Sequence, residues 1–215
     1  MKIGILGSGD VGRALGSGFV GTGHAVKIGA REAGRPSLVA WAAATGGAGA
    51  TGTFAEAADF GELLVLAVHG VAVEDAIRAT GPHRFDGKIV IDATNPLVLA
   101  SEAPPRLARG FTTSNGEIVQ SLLPRARVVK AFNIVGNPSF YRPTFPGGPP
   151  DMWICGDDAA AKATVTELLS SFGWPSVVDL GGIASSRELE SLCVLWVKTA
   201  LALGTFDIAF KVLRK

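Results

Sequence analysis

The sequence predicts an α/β fold, a doubly wound parallel sheet followed by a small α/β extension towards the C-terminus. Short β-branched and aliphatic runs alternate with longer amphipathic stretches, which is the pattern of parallel strands joined by helices. One of these runs, ELLVLAV, is almost entirely apolar, as are strands that helices cover on both faces. The 215 residues are 47% hydrophobic and 18% charged, a balance that supports a compact core.

The N-terminal elements follow in regular order along the chain. KIGILG predicts a first strand, and VGRALGSGFVGTG predicts a helix that ends at its last glycines. AVKIG predicts a second strand, and PSLVAWAAAT predicts a helix with Pro36 in its first turn, where proline is favoured. ELLVLAV, GKIVIDAT and RVVKAFN predict further strands, and VAVEDAIRAT and SNGEIVQSLLP predict the helices between them.

The second half of the chain contains one predicted loop and one predicted boundary. Residues 97–113, LVLASEAPPRLARGFTT, predict a long irregular loop, and such loops are often functional. The segment NPSFYRPTFPGGPP is rich in proline and glycine, which predicts an internal boundary. Beyond it, MWICG and PSVVDLG predict strands on either side of the helix DDAAAKATVTELLSSFG, and a long helix is predicted from about Ser186 toward Ala202.

Composition and charge exclude several classes of protein. A formal net charge of +1 provides no overall field that would recruit nucleic acid or an anionic membrane. Cys155 and Cys193 lie in separate apolar stretches, so we expect two buried, unpaired thiols rather than a disulfide or a metal site. The chain start is too interrupted for a signal-peptide core, and the most apolar late segment contains Lys198 and Asp207. A soluble, cytoplasmic protein is expected.

The hexapeptide GSGDVG is the clearest functional motif. It supplies Gly7, Gly9 and Gly12 as G-x-G-x-x-G, directly after the first predicted strand and at the start of a predicted helix. In Rossmann-type folds the first glycine allows a tight turn, the second lets the backbone approach a pyrophosphate, and the third lets the helix pack on the sheet. Residues 1–146 are therefore predicted to form a dinucleotide-binding domain, and residues 151–215 a smaller part that packs over its cleft.

The residues after the second strand indicate which dinucleotide is bound. The acidic residue that holds the ribose hydroxyls of NAD is expected where Gly29 and Ala30 stand. Arg31 and Arg35 follow, and two guanidinium groups suit the 2′-phosphate of NADP. Glu32 leaves an alternative open, because it can hold a ribose hydroxyl or pair with Arg35. The sequence predicts NADP as the cofactor.

A longer set of motifs resembles a known family. GILGSGDVGRAL, KIGAR, IDATNPL, SNGEIVQSLLPRARVVKAFN and ICGDDAAAKATV followed by GWPSVVDLGGIASSRELESL occur in the family's order and cover nearly the whole chain. Together they resemble the NADPH-dependent F420 reductases, and equally the cytosolic oxidoreductase domain of the STEAP metalloreductases. The resemblance implies a Rossmann-type fold and an NADP-dependent oxidoreductase.

Matching the family position by position implies a set of cofactor-binding residues. The glycine loop takes the pyrophosphate, and Ala30, Arg31 and Arg35 stand where the family has a Ser-Arg pair and a further basic residue for the 2′-phosphate. The alanine lacks the serine hydroxyl. The nicotinamide end is implied at the carboxyl ends of the central strands. The implied cofactor-binding residues are Gly7, Ser8, Gly9, Asp10, Val11, Gly12, Ala30, Arg31, Arg35, Ala67, Val68, His69, Asn95, Pro96, Ala131, Phe132 and Asn133.

Several side chains have more than one interpretation. Asn95 offers an amide to the nicotinamide half, or it is a plain turn residue. His69 either assists the reaction or only lines a loop near the cofactor. Arg187 either meets an acceptor group or pairs with Glu190 one turn on, and the ion pair is favoured. No catalytic residue is predicted, because hydride transfer between stacked rings needs positioning rather than side-chain acid–base chemistry.

The resemblance implies hydride transfer between NADPH and a deazaflavin (coenzyme F420) or a flavin (FMN or FAD). Arg106 and Arg109 of the predicted loop would then meet the acceptor's phosphate tail. A flavin or ferric reductase of the STEAP type and a non-catalytic NADP-binding sensor are the alternatives. The apolar stretch VLWVKTALAL is consistent with a homodimer and equally with a helix buried in its own chain.

Overall fold

The computed structural model describes residues 1–100, 103–213 and 215. Its strands are β1 (Lys2–Leu6), β2 (Ala25–Gly29), β3 (Gly49–Gly52), β4 (Leu63–Leu66), β5 (Ile89–Asp92), β6 (Leu97–Ala100), β7 (Ala103–Leu107), β8 (Arg127–Lys130), β9 (Met152–Ile154) and β10 (Val177–Asp179). Its α-helices are α1 (Asp10–Gly21), α2 (Pro36–Ala44), α3 (Phe54–Phe60), α4 (Val73–Thr80), α5 (Asn115–Leu122), α6 (Ala159–Ser171) and α7 (Ser186–Leu203).

A six-stranded parallel sheet in the order β3-β2-β1-β4-β5-β8 forms the centre of the molecule. The order reverses between β1 and β4, which makes their carboxyl ends the switch point of the sheet. Leu6 pairs with Gly29 on one side and with Leu66 on the other. Leu66 pairs with Asp92, and Asp92 with Lys130, so these strand ends align along one edge. The predicted fold class is confirmed.

Alternating strand side chains divide the core into two layers. Leu63 and Val65 of β4 join a cluster that includes residues of α1, α2 and α6. Leu64 and Leu66 of the same strand join a second cluster, with residues of α4 and α5. Because successive strand residues point to opposite faces, an all-apolar strand such as β4 requires a helical layer on each side.

The C-terminal segment forms the small α/β extension and adds to the main core. β9 and β10 pair in parallel, and an antiparallel bridge between Lys130 and Cys155 connects this pair to the main sheet. Phe172, at the end of α6, has its ring centroid 4.7 Å from that of Phe19 and 5.6 Å from that of Phe132. The extension therefore belongs to the same hydrophobic cluster as α1 and the segment that follows β8.

A hairpin replaces part of the predicted irregular loop over residues 97–113, so that prediction is wrong over β6 and β7. Leu97 pairs with Leu107, and Val98 with Arg106, in antiparallel register. The two prolines of APPRL indicated a loop, yet proline is tolerated in edge strands. Residues 101 and 102 lie outside the described residues, and residues 108–113 are irregular as predicted.

β3 and α3 have no counterpart in the sequence-based prediction. β3 has the sequence GATG, in which the glycines give little indication of a strand. α3 begins with a capping box, in which Thr53 Oγ1 accepts from Glu56 N (3.2 Å) and Glu56 Oε2 accepts from Thr53 N (2.7 Å). The T-x-x-E pattern at these residues was the available signal.

Two predictions about surface and thiols can be compared with the structure. Both cysteines are buried and free, as predicted. Within the described part of the chain, no helix has the length and apolar character needed to cross a membrane. Leu195, Leu201 and Leu203 on α7 are 53%, 56% and 64% exposed, and self-association through this helix stays a prediction.

Candidate functional site

The glycine loop between β1 and α1 is fitted so closely that two of its glycines leave no room for a side chain. Gly7 has a φ of +131°, and a Cβ there would lie 2.2 Å from the carbonyl oxygen of Ala67. A Cβ on Gly12 would lie 1.9 Å from the carbonyl oxygen of Gly7. A Cβ on Gly9 would meet nothing within 4 Å. The space beside Gly9 is therefore open, as the approach of a pyrophosphate requires.

The N-terminus of α1 presents unused hydrogen-bond donors beside this space. Gly9 is the N-cap, and no side chain caps the helix. Arg13 N donates to Gly9 O, but the backbone N–H groups of residues 9–12 make no hydrogen bond within the described part of the chain. Free N–H groups and the positive end of the helix dipole together favour a bound anion.

Two arginines lie beside the loop at the end of β2. The Arg35 guanidinium donates to Ser8 Oγ at 3.4 Å, which brings a cation onto the glycine loop. Arg31, immediately after β2, is exposed, and neither arginine forms an ion pair with a described residue. The Glu32 side chain is exposed and forms no ion pair with Arg35, so that alternative for Glu32 is not realised in the described residues. The positive charge at this position is uncompensated, which suits a phosphate.

A cleft of about 380 Å³ continues from the loop along the carboxyl ends of β5 and β8. Four of the predicted residues line it: Val11, Asn95, Phe132 and Asn133. Trp196 of α7 and Phe206, beyond its end, also line it, with ring centroids 5.7 Å apart. A second cleft of about 390 Å³, lined by residues that include His83 and Arg125, lies where β5 and β8 begin. Only the first adjoins the glycine loop.

Two asparagines tie the strand ends together at the cleft. Asn95 Nδ2 donates to Asn133 O (2.7 Å), and Asn133 Nδ2 donates to Asn95 Oδ1 (2.9 Å) and to Leu189 O (3.0 Å). Phe132, the residue before Asn133, has a positive φ of 65°. A non-glycine residue in this conformation carries strain of roughly 1–3 kcal/mol, and such strain collects at functional sites. The backbone after β8 is therefore held in a fixed, strained turn.

A buried ionic cluster adjoins the cleft. Lys130 Nζ donates to Asp92 Oδ2 (2.9 Å), to Glu190 Oε1 (2.7 Å) and to Thr94 O (2.6 Å). Burial alone would lower the pKa of Lys130, but the neighbouring Asp92 and Glu190 carboxylates outweigh it and raise that pKa. Burial raises the pKa of Glu190, against the attraction of Lys130. This cluster was not predicted from the sequence, although charged residues at the ends of apolar strands were a signal.

The favoured pairing of Arg187 with Glu190 is wrong. Arg187 instead pairs with Glu117 of α5, donating through both Nε (2.8 Å) and Nη2. Arg187 lowers the pKa of Glu117 below its ordinary value through these hydrogen bonds. Glu190 points into the protein, where its Oε1 accepts from Lys130 Nζ, while Arg187 lies on the outer side of the same helix.

Comparison with known proteins identifies the family. A sequence profile described as NADP oxidoreductase, coenzyme F420-dependent, matches residues 2–96. A solved structure from Arthrobacter sp. FB24, described as a putative F420-dependent NADP reductase, is 36% identical over 100% of both chains and has a TM-score of 0.93. The chain belongs to the family of coenzyme F420-dependent NADP oxidoreductases.

Two curated relatives of this chain extend the comparison. Metalloreductase STEAP3 from Rattus norvegicus is 35% identical over 220 residues, which cover 95% of this chain and 40% of the relative. The F420-dependent NADP reductase of Methanocaldococcus jannaschii is 28% identical over 143 residues, covering 66% of this chain and 63% of that one. The chain thus spans about 40% of the length of the metalloreductase.

The remaining predicted cofactor-binding residues lie around the switch point, but not all of them face the cleft. The side chains of Ala30, Ala67 and Ala131 belong to the hydrophobic core, and their N–H groups are bonded to neighbouring strand carbonyls. Pro96 is buried, and its carbonyl accepts from Ala108 N at 2.7 Å. His69 is exposed after β4 and makes no side-chain hydrogen bond within the described residues. Val68 packs partly buried against the second core cluster.

Proposed function

We propose that this protein is an NADP(H)-dependent oxidoreductase that transfers a hydride between NADPH and a deazaflavin, coenzyme F420, or a flavin. The observation that carries the proposal is the continuous surface from the glycine loop to the cleft. At the glycine loop there are free N–H groups and an open space beside Gly9. Two arginines without an acidic partner among the described residues lie beside the loop, and an apolar cleft follows at the switch point. An anionic dinucleotide ending in a planar ring fits that sequence of features.

NADP is proposed over NAD because of the charge beside the loop. Arg35 already contacts Ser8, and Arg31 projects from the end of β2 with no acidic partner among the described residues. In this proposal both guanidinium groups bind the 2′-phosphate. No carboxylate occupies the position that would hold the two ribose hydroxyls of NAD.

The nicotinamide half is proposed to lie against Val11, Asn95, Phe132 and Asn133. The Asn95–Asn133 pair fixes the two strand ends on which a ring would rest, and the strained Phe132 turn shapes the floor between them. NADPH, when bound, supplies the hydride. The chain's own contribution is to orient the two rings and to exclude water, which is what hydride transfer between stacked rings requires of a protein.

The acceptor is proposed to occupy the outer part of the same cleft, with the C-terminal segment 151–215 as its wall. Trp196 and Phe206 offer aromatic surface there, and Trp196 is fixed by donating to Ile208 O at 2.8 Å. A flat isoalloxazine or deazaflavin ring stacks well on such surface. Arg109 pairs with Glu74 at 3.0 Å, which leaves exposed Arg106 as the better candidate for an acceptor's phosphate tail.

The decisive experiment measures NADPH oxidation by the purified protein with F420, FMN and FAD side by side. Turnover with F420 and little with the flavins supports the deazaflavin acceptor. Turnover with flavins alone moves the protein to a STEAP-like flavin or ferric reductase, a reading that the 35% identity to a metalloreductase favours. Tight NADPH binding without turnover with any acceptor contradicts the enzyme proposal and supports a non-catalytic sensor.

A further inference from the structure

The ionic cluster of Asp92, Lys130 and Glu190 has no part in the proposed binding of NADP or acceptor. Its three side chains are at most 1% exposed, and they come from β5, β8 and α7. Each is close in sequence to the cleft lining: Asp92 precedes Ala93, Lys130 precedes Phe132 by two residues, and Cys193 lies one turn after Glu190. Burying three charges is costly unless they are well paired, so their position calls for an explanation.

Hydrogen bonding fixes the ionisation of both carboxyl groups. Glu190 Oε1 accepts from Lys130 Nζ and from Gly116 N (3.2 Å), and Oε2 accepts from Asn115 N (3.0 Å). Asp92 Oδ1 accepts from Thr94 N (2.9 Å), and Oδ2 accepts from Lys130. Each of these partners donates, and Lys130 Nζ contacts both carboxyl groups, so the hydrogen bonds and the neighbouring ammonium both favour the carboxylate form. Both groups are therefore carboxylates.

The cluster consequently carries two negative charges and one positive charge. The N-terminus of α5, whose first amides bind Glu190, contributes roughly half a positive charge and offsets only part of the excess. Two thiols lie near the cluster, and burial raises the pKa of Cys155 to about 11 and that of Cys193 to about 12. Both thiols are neutral, so the excess negative charge remains.

We infer that the excess negative charge of the Asp92–Lys130–Glu190 cluster favours the oxidised nicotinamide over the reduced one. The inference rests on the proposed position of the nicotinamide at the ends of β5 and β8. The nicotinamide ring is neutral in NADPH and positively charged in NADP⁺, because the departing hydride takes two electrons and one proton to the flavin-type acceptor. A buried charge acts on that ring with little screening. The cluster thus makes bound NADPH a better hydride donor.

A purely structural role for the cluster makes a different prediction. The cluster joins β5, β8, α5 and α7, so weakening it can displace the cleft lining. Displacement of the cleft lining changes the affinity for NADPH and the affinity for NADP⁺ in the same direction, because the two nucleotides differ only in the nicotinamide ring. The ratio of the two dissociation constants therefore separates an electrostatic effect from a structural one.

The test is to measure the Kd of NADP⁺ and of NADPH by titration calorimetry for the full chain and two variants. Glu190→Gln and Asp92→Asn each remove one negative charge with little change of shape. In each variant, we expect the ratio of the Kd of NADP⁺ to that of NADPH to rise about fivefold, by loss of attraction to the charged ring. Because the two residues lie on different elements, a shared direction identifies charge as the cause.

Glu117→Gln is the matched control. It also converts a carboxylate between α5 and α7 into an amide, but its partner Arg187 is at the surface rather than in the buried cluster. Its ratio is expected to equal that of the unaltered protein. An unchanged ratio in the folded cluster variants, or an equal change in the control, overturns the inference. Where circular dichroism shows that one cluster variant is unfolded, the ratio in the other decides. Failure of the unaltered protein to bind either nucleotide contradicts the proposed function instead.

Discussion

Arg31 is the residue on which the choice of nucleotide is expected to depend most. It is exposed at the end of β2 without an acidic partner among the described residues, ready for a phosphate. A charge-assisted hydrogen bond is worth about 1.5–3 kcal/mol, so Arg31→Ala is expected to raise the KM for NADPH by about tenfold or more. The KM for NADH is expected to stay nearly constant. Steady-state kinetics with both nucleotides measure the difference, and Arg125→Ala, at the opposite edge of the sheet, is the control. An equal rise for NADH would remove Arg31 from the 2′-phosphate site.

Single residues also mark the limit of what the sequence predicts about the site. Gly7, Gly12 and the two arginines are predictable because their roles follow from short motifs beside a strand. The role of Glu190 is not, because it depends on Lys130, which is 60 residues away in sequence. Its own neighbourhood suggested a pair with Arg187 instead. Ion pairs between distant segments require the tertiary structure.

Among the elements, the β1–loop–α1 unit allows a matched pair of substitutions. Gly12→Ala places a Cβ 1.9 Å from the carbonyl oxygen of Gly7, so α1 must shift. The free energy of unfolding is therefore expected to fall by about 1–3 kcal/mol. Gly9→Ala has free space and an ordinary φ of −71°, so its stability is expected to be nearly unchanged. Its methyl group instead enters the proposed pyrophosphate space, which is expected to raise the Kd of NADPH about ten- to hundredfold. Thermal unfolding and NADPH titration check both variants, and tight NADPH binding by Gly9→Ala would contradict the placement of the pyrophosphate.

The elements that the sequence predicted and those that it missed differ in their local signals. β4 is apolar throughout and α1 follows a glycine motif, so both were predictable. β3 is four residues of GATG, and it becomes a strand only because β2 offers an open edge for pairing. The β6–β7 hairpin contains adjacent prolines, and it forms in an isolated two-stranded sheet where few ladder bonds are needed. Pairing partners, which local sequence does not encode, decided these elements.

At the scale of the whole molecule, the shared aromatic cluster predicts a single unfolding transition. Phe172 of the C-terminal extension is fully buried against Phe19 and Phe132, and its ring fills the space beside Gly18 of α1. Phe172→Ala is therefore expected to lower the free energy of unfolding by about 3–5 kcal/mol. Phe111→Ala, at a phenylalanine that is 97% exposed, is the control and should cost almost nothing.

The same aromatic cluster is expected to make the two parts of the chain unfold together. Tryptophan fluorescence reports on both parts of the chain, through Trp41 in α2 and Trp174 after α6, while circular dichroism reports on all helices. Because one core joins these parts, both signals are expected to change at the same denaturant concentration, in the unaltered protein and in Phe172→Ala alike. Two separate transitions would show that residues 151–215 unfold independently of the sheet. The wall proposed for the acceptor would then be a separable domain rather than part of the rigid cleft.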